Sequence, residues 1–173
     1  MSWHQAYVEM TQVLDSDVSS LSAMTPEEVN TMKTARQILN NKPAGVYSVP
    51  PEASIYAVLQ LMAEKDIGAV LVMESDTLVG LFSERDYARK IILNGKNSTD
   101  TLVHEVMTQR LIVVSPSTEL AACMALMSNN RIRHLPVVEN GKVMGVLSIT
   151  DLVRETIAEQ QFVIEQLEHY IHQ

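Results

Sequence analysis

The sequence predicts an α+β fold: two β-α-β-β-α units packed about a pseudo-twofold axis, with an N-terminal extension and a long C-terminal helix. Three observations predict it. Residues 49–89 lie over residues 114–154 at a constant offset of 65, with no gap. Identities along that register include Pro51/Pro116, Ala57/Ala122, Leu61/Leu126, Met62/Met127, Ile67/Ile132, Gly80/Gly145, Ser83/Ser148, Asp86/Asp151 and Arg89/Arg154. Each copy also runs from a helical apolar stripe into two apolar runs separated by a turn. Finally, a 41-residue unit is too small to bury a core alone, so the halves are expected to share one. The cleft between two such halves is the first place to look for a ligand.

The elements follow in order. Residues 1–33 read as a weakly structured or helical extension, with a helix start at Thr25-Pro26-Glu27-Glu28. Thr34 and Gln37 are spaced for a capping box opening a short helix. Residues 40–45 read as a loop, and 46–49 as a short strand. Ile55, Val58, Leu59 and Met62 fall at helical spacing, as do Leu120, Cys123, Met124 and Met127. The apolar run 67–73 suits a buried strand. Turns at Glu74-Ser75-Asp76-Thr77 and Glu139-Asn140-Gly141-Lys142 lead into returning strands at 78–82 and 143–147, with Asn140-Gly141 a type I′ signal. A second helix starts after Ser83 and again after Ser148. The boundaries read as extension 1–33, first repeat 34–94, linker helix 95–107, second repeat 108–154 and C-terminal helix 155–173. The last helix is expected to run from Ile149 towards Ile171. Its stripe of Val153, Ile157, Ile164, Leu167 and Ile171 has the near-3.5 period of a helix–helix seam, which points to a homodimer.

Composition excludes several classes. The net charge is −8, yet all 13 Lys and Arg residues fall within 33–154. The tails are acidic and the body is close to neutral. That excludes a general nucleic-acid binder while permitting a local anion site. No apolar run spans a bilayer and no signal pattern opens the chain, so a cytoplasmic protein without a membrane contact is expected. The single cysteine, Cys123, excludes an internal disulfide and reads as a buried small hydrophobe. No nucleophile–base pair, phosphate-binding loop or zinc spacing is present. His169 and His172 lack a third ligand nearby. The chain is not expected to be an enzyme.

The chemistry concentrates where a strand meets a helix, at Gly80-Leu-Phe-Ser83-Glu-Arg85-Asp86 and at Gly145-Val-Leu-Ser148-Ile-Thr150-Asp151. Ser-x-x-Asp is a helix-capping motif. A cap does not require the preceding glycine, which lets another group approach the backbone closely. Amides at a helix start attract phosphate, and a carboxylate beside them accepts hydrogen bonds from vicinal hydroxyls. Arg131, Arg133 and His134 lie nearby in the second copy, and Arg85, Arg89 and Lys90 in the first. Arg133 and His134 lead directly into a buried strand, where an unpartnered charge is costly and a phosphate would be a partner.

Taken together, the paired unit, the motif closing each copy and Arg131-Ile-Arg-His-Leu-Pro-Val-Val138 resemble a tandem CBS domain pair (Bateman module) over residues 46–154. The segment 83–90 resembles the small stand-alone bacterial members. The resemblance implies a regulatory module that binds adenosine-containing ligands between the repeats, AMP first among them, with ADP, ATP, NAD and S-adenosylmethionine as the others. It implies that Asp86 and Asp151 hold ribose hydroxyls and that Ser83, Ser148 and Thr150 lie near ribose and phosphate. It also implies that Val46, Tyr47, Ile112 and Val113 pack the base, and that Arg133 and His134 reach phosphate. The first copy has Gly68 and Ala69 at the Arg133 and His134 positions, so its site would borrow phosphate contacts or bind differently. The resemblance also implies a regulated protein partner. The alternative is an interaction scaffold with empty clefts whose acidic tails engage a protein.

Overall fold

A computed structural model describes residues 33–42 and 45–171, with the backbone alone at Gln166, Tyr170 and Ile171. The expected extension over 1–32, with its helix start at Thr25-Pro26, lies outside the described residues, as does His172.

Helix α1 (Ala35–Asn40) opens with the expected box, Thr34 N donating to Gln37 Oε1 at 2.8 Å. Strand β1 (Ser48–Val49) is shorter than expected, and helix α2 (Ile55–Lys65) is capped by Ser54. The hairpin β2 (Ala69–Glu74) and β3 (Thr77–Ser83) follows. Helix α3 (Glu84–Asp86) continues as a π-turn (Tyr87–Ile91) and a 3₁₀ turn (Ile92–Asn94). The linker helix is only a 3₁₀ turn at Val103–Glu105. The second copy supplies α4 (Leu120–Asn130), β4 (His134–Glu139), β5 (Lys142–Ser148) and α5 (Ile149–Ile171).

The offset of 65 extends to the backbone. Left-handed residues end α2 and α4 (Asp66, φ 51°; Arg131, φ 54°), and left-handed residues turn both hairpins (Ser75, φ 53°; Asn140, φ 50°). Asn140 and Gly141 both have positive φ, as a type I′ turn requires. A register shift falls between Val72 and Met73 in one hairpin and between Val137 and Val138 in the other.

One element breaks the symmetry. In the first copy β1 pairs in parallel with β2, and Leu71 N donates to the Tyr47 carbonyl at 3.2 Å. The residue equivalent to Leu71 is Pro136, which has no N–H to donate. Pairing there shrinks to the isolated bridge between Val114 and Val137. The second sheet therefore has two strands where the first has three.

The expectation of one shared core fails. One cluster holds Ile55, Val58, Met62, Val70, Val72 and Phe82 of the first copy, and another holds Leu120, Cys123, Met127, Leu135, Val137 and Leu147 of the second. Each is completed from outside its own repeat: α1 gives Ala35 and Ile38 to the second core, and the linker gives Val103 and Val106 to the first. The two segments dock alike. Ala35 N donates to the Thr118 carbonyl and Arg36 N to that of Pro116, while Val103 N donates to Ala53 and His104 N to Pro51. Supplying apolar side chains across the pair solves the small-repeat problem without merging the cores.

The same crossing explains the two glycines. A methyl group on Gly145 would lie 2.6 Å from Leu39 Cδ2, and one on Gly80 would collide with the Met107 side chain. What approaches these backbones closely is thus the crossing segment itself.

Candidate functional site

Both strand-to-helix junctions open on one continuous cleft of about 1140 Å³, in place of two separate ones. It is lined by Val46, Tyr47, Ser83, Arg85, Asp86, Ile112, Arg133, His134, Ser148, Thr150 and Asp151. Among the expected site residues, Val113 alone is absent from the lining, and it is exposed. Nine Lys or Arg side chains line the cleft against four carboxylates, in a chain whose overall charge is −8. A small anion therefore meets a locally positive field with low-dielectric walls.

At each junction the motif serine and aspartate close a reciprocal cap. Ser148 N and Oγ donate to Asp151 Oδ2 at 2.7 and 2.6 Å, and Asp151 N donates back to Ser148 Oγ at 3.2 Å. Ser83 N and Oγ donate to Asp86 Oδ2 at 3.0 and 2.6 Å, and Asp86 N donates back at 3.3 Å. Capping occupies one carboxylate oxygen and leaves the other for further work, so the structural and binding readings of the motif are compatible.

The second oxygens differ. Asp86 Oδ1 accepts from Thr108 Oγ1 at 3.2 Å and pairs with Lys90 Nζ at 2.7 Å. The Lys90 ammonium also donates to the Val106 carbonyl and to Thr108 Oγ1, so three oxygens surround it. The residue equivalent to Lys90 in the second copy is Glu155, and the cation comes instead from Lys42, just after α1. Lys42 Nζ donates to Asp151 Oδ2 at 2.6 Å and to the Val146 carbonyl at 2.9 Å. Asp151 Oδ1 accepts no hydrogen bond among the described residues. Burial alone would raise the Asp151 carboxyl, but hydrogen bonds from Lys42 and Ser148 outweigh it and hold the group below the usual carboxylate range.

His134 is half-buried at the start of β4, whereas Arg133 is exposed. The desolvation argument therefore applies to His134 and not to Arg133. Burial pushes the His134 imidazole below its ordinary value, Lys42 and Arg133 push the same way, and Asp151 and Asp86 pull against them. His134 also crosses towards the first copy: a methyl group on Gly68 would sit 3.7 Å from its Nε2. Arg85 crosses in the other direction, Nη1 donating to the Arg131 carbonyl at 2.9 Å.

Sequence reasoning missed Lys42, Thr108 and Arg110, which line the cleft from the crossing segments. The signal was present but weak. Residues 34–40 match 102–108 at an offset of 68, with the box residues Thr34 and Gln37 over Leu102 and Glu105, and Leu39 over Met107. Cys123 is the fully buried hydrophobe expected, and burial pushes its thiol up, away from reactivity. No cluster of three His, Cys, Asp or Glu placed to hold a metal occurs among the described residues.

A junction motif repeated in two half-sites, open on one basic cleft, defines a paired ligand-binding module. The CBS domain model matches residues 35–93 and 103–157, and the chain belongs to the CBS domain family. It is 38% identical over 123 residues to a mitochondrial CBS domain-containing protein of Arabidopsis thaliana, CBSX3, covering 68% of this chain and 60% of that protein's length. Among solved structures, a CBS-domain protein of Burkholderia ambifaria is 46% identical with a TM-score of 0.72, covering 74% of this chain and 96% of that one. A further CBS-domain crystal structure is 44% identical with a TM-score of 0.70, covering 73% and 98%. Proteins with paired CBS domains are typically regulatory ligand-binding modules. No helix among the described residues is long and apolar enough to cross a membrane.

Proposed function

We propose that this chain is a regulatory module whose cleft binds an adenosine-containing nucleotide, with AMP first and ADP, ATP, NAD and S-adenosylmethionine as alternatives. The observation that carries the reading is the cleft lining: nine basic side chains around two capped carboxylates in a chain of net charge −8. In this reading Asp86 and Asp151 accept from ribose hydroxyls, as carboxylates do beside a helix start. Arg85, Arg133, His134 and Thr150 face the phosphates, and Val46, Tyr47 and Ile112 flank the base. Ligand binding favours one arrangement of the pair, which an assembly partner reads.

That partner is proposed to be a second copy of the chain, meeting it along α5. Val153, Ile157, Ile164 and Leu167 of the expected stripe are all exposed, as are Phe162 and Val163. The side chain of Ile171 lies outside the described residues. A regulated protein and a cytoplasmic setting complete the proposal.

A thermal-shift series with AMP, ADP, ATP, NAD and S-adenosylmethionine tests it. A ligand at 100 times its dissociation constant adds about 2.7 kcal/mol, a rise of several degrees in Tm. Silence from every adenosine compound would remove the reading and favour the scaffold.

A further inference from the structure

The two half-sites carry the same motif but differ in which hydrogen-bonding groups remain open. In the first, both acceptors a nucleoside would use already hold protein donors. The Tyr47 carbonyl accepts from Leu71 N, and Asp86 Oδ1 is held by Thr108 and Lys90. In the second, both counterparts are open. Pro136 has no N–H to give the Ile112 carbonyl, which accepts no hydrogen bond among the described residues. Asp151 Oδ1 is likewise unbonded, because Lys42 and Ser148 all converge on Oδ2.

The donors differ in the same way. An ammonium has three N–H groups. Among the described residues those of Lys90 face three oxygens of the protein, while Lys42 is bonded to two. The second half-site thus keeps an acceptor and a donor side by side, which matches a vicinal diol: one hydroxyl gives its proton to Asp151 Oδ1 and its neighbour receives one from Lys42. The Ile112 carbonyl is the acceptor this arrangement leaves for an N–H of the base.

We propose that the Asp151 half-site is the high-affinity nucleoside site, made so by Lys42 and by the N–H missing at Pro136, and that the Asp86 half-site, whose acceptors already hold protein donors, binds more weakly. This rests on the nucleotide reading above and deepens it. A net hydrogen bond is worth about a factor of ten in affinity, so two open acceptors separate the half-sites by at least about tenfold.

The test is calorimetric titration of the full chain with adenosine, and with 2′,3′-dideoxyadenosine as the diol-free control. The wild type should show a tight event and a weak one, the tight event being lost with the dideoxy compound. Asp151→Asn should remove the tight event and Asp86→Asn the weak one. Pro136→Ala restores an N–H opposite the Ile112 carbonyl and should weaken the tight event about five- to tenfold while leaving Tm equal or higher. Because Pro136 belongs to neither cap, that variant decides the matter if Asp151→Asn fails to fold. Two equal events, a tight event that follows Asp86, or a Pro136→Ala chain that binds as the wild type would overturn the inference. Absence of heat with both adenosine and AMP in the wild type would overturn the nucleotide reading itself.

Discussion

The first and second repeats answer the same local problem in different ways. Each must cap a helix with Ser-x-x-Asp and bring a cation to a partly buried aspartate. The first places its cation on the same helix, Lys90 one turn beyond Asp86, and seals the carboxylate with Thr108. The second places Glu155 at that position and imports Lys42 from the segment before the other repeat. Both corners are completed across the pair, but the first carries its cation on its own helix and takes Thr108 on Asp86 Oδ1, whereas the second imports its cation and leaves Asp151 Oδ1 without a donor among the described residues. Duplicated motifs therefore need not mean duplicated sites, because the motif occupies one carboxylate oxygen and the surroundings decide the other.

The largest expected effect tests the crossing segments. Gly145→Ala and Gly80→Ala should each destabilise the chain by about 1–3 kcal/mol through overpacking against Leu39 and Met107, read by urea denaturation. Adding Leu39→Ala to the first variant should recover part of the loss, giving clear coupling in the double-mutant cycle. A neutral Gly145→Ala would mean that Leu39 does not cover this strand and that the glycine serves something else.

A smaller effect separates the repeats by pH. His134 has no counterpart in the first copy, where Ala69 stands in its place. Its folded pKa is depressed, first by burial and then by Lys42. The unfolded chain therefore binds more protons, and the contribution is present above about pH 6.5 and lost as pH falls towards the folded value. His134→Asn should flatten the stability profile between about pH 7 and 5. Asp151 is also depressed, so its contribution is present above about pH 4 and lost below; the substitution should leave that acid limb in place. An unchanged profile between pH 7 and 5 in the variant would show that His134 does not titrate as described.

Much of this was legible in the chain. The offset of 65 located both hairpins and both caps, because each depends on neighbours a few positions away. The long helix was legible because Val153, Ile157, Ile164 and Leu167 keep one period throughout. Lys42 was not: it sits in a loop 109 residues from Asp151, and periodicity does not say to which sheet a preceding segment crosses. The two cores escaped for the same reason, since Ala35 belongs by sequence to the first repeat and packs in the second core, while Val103 of the linker packs back into the first. Pro136 was visible as a residue of the repeat, but its consequence needed the partner carbonyl, which only the parallel pairing of β1 with β2 identifies.

The central claim is that the two half-sites are unequal, and a crystal structure at one equivalent of AMP per chain tests it most directly. The account predicts density for one nucleotide, its ribose hydroxyls within hydrogen-bond distance of Asp151 Oδ1 and Lys42 Nζ, with Lys90 still on Asp86. Equal occupancy of both half-sites, or a nucleotide on Asp86 with Asp151 empty, would contradict it.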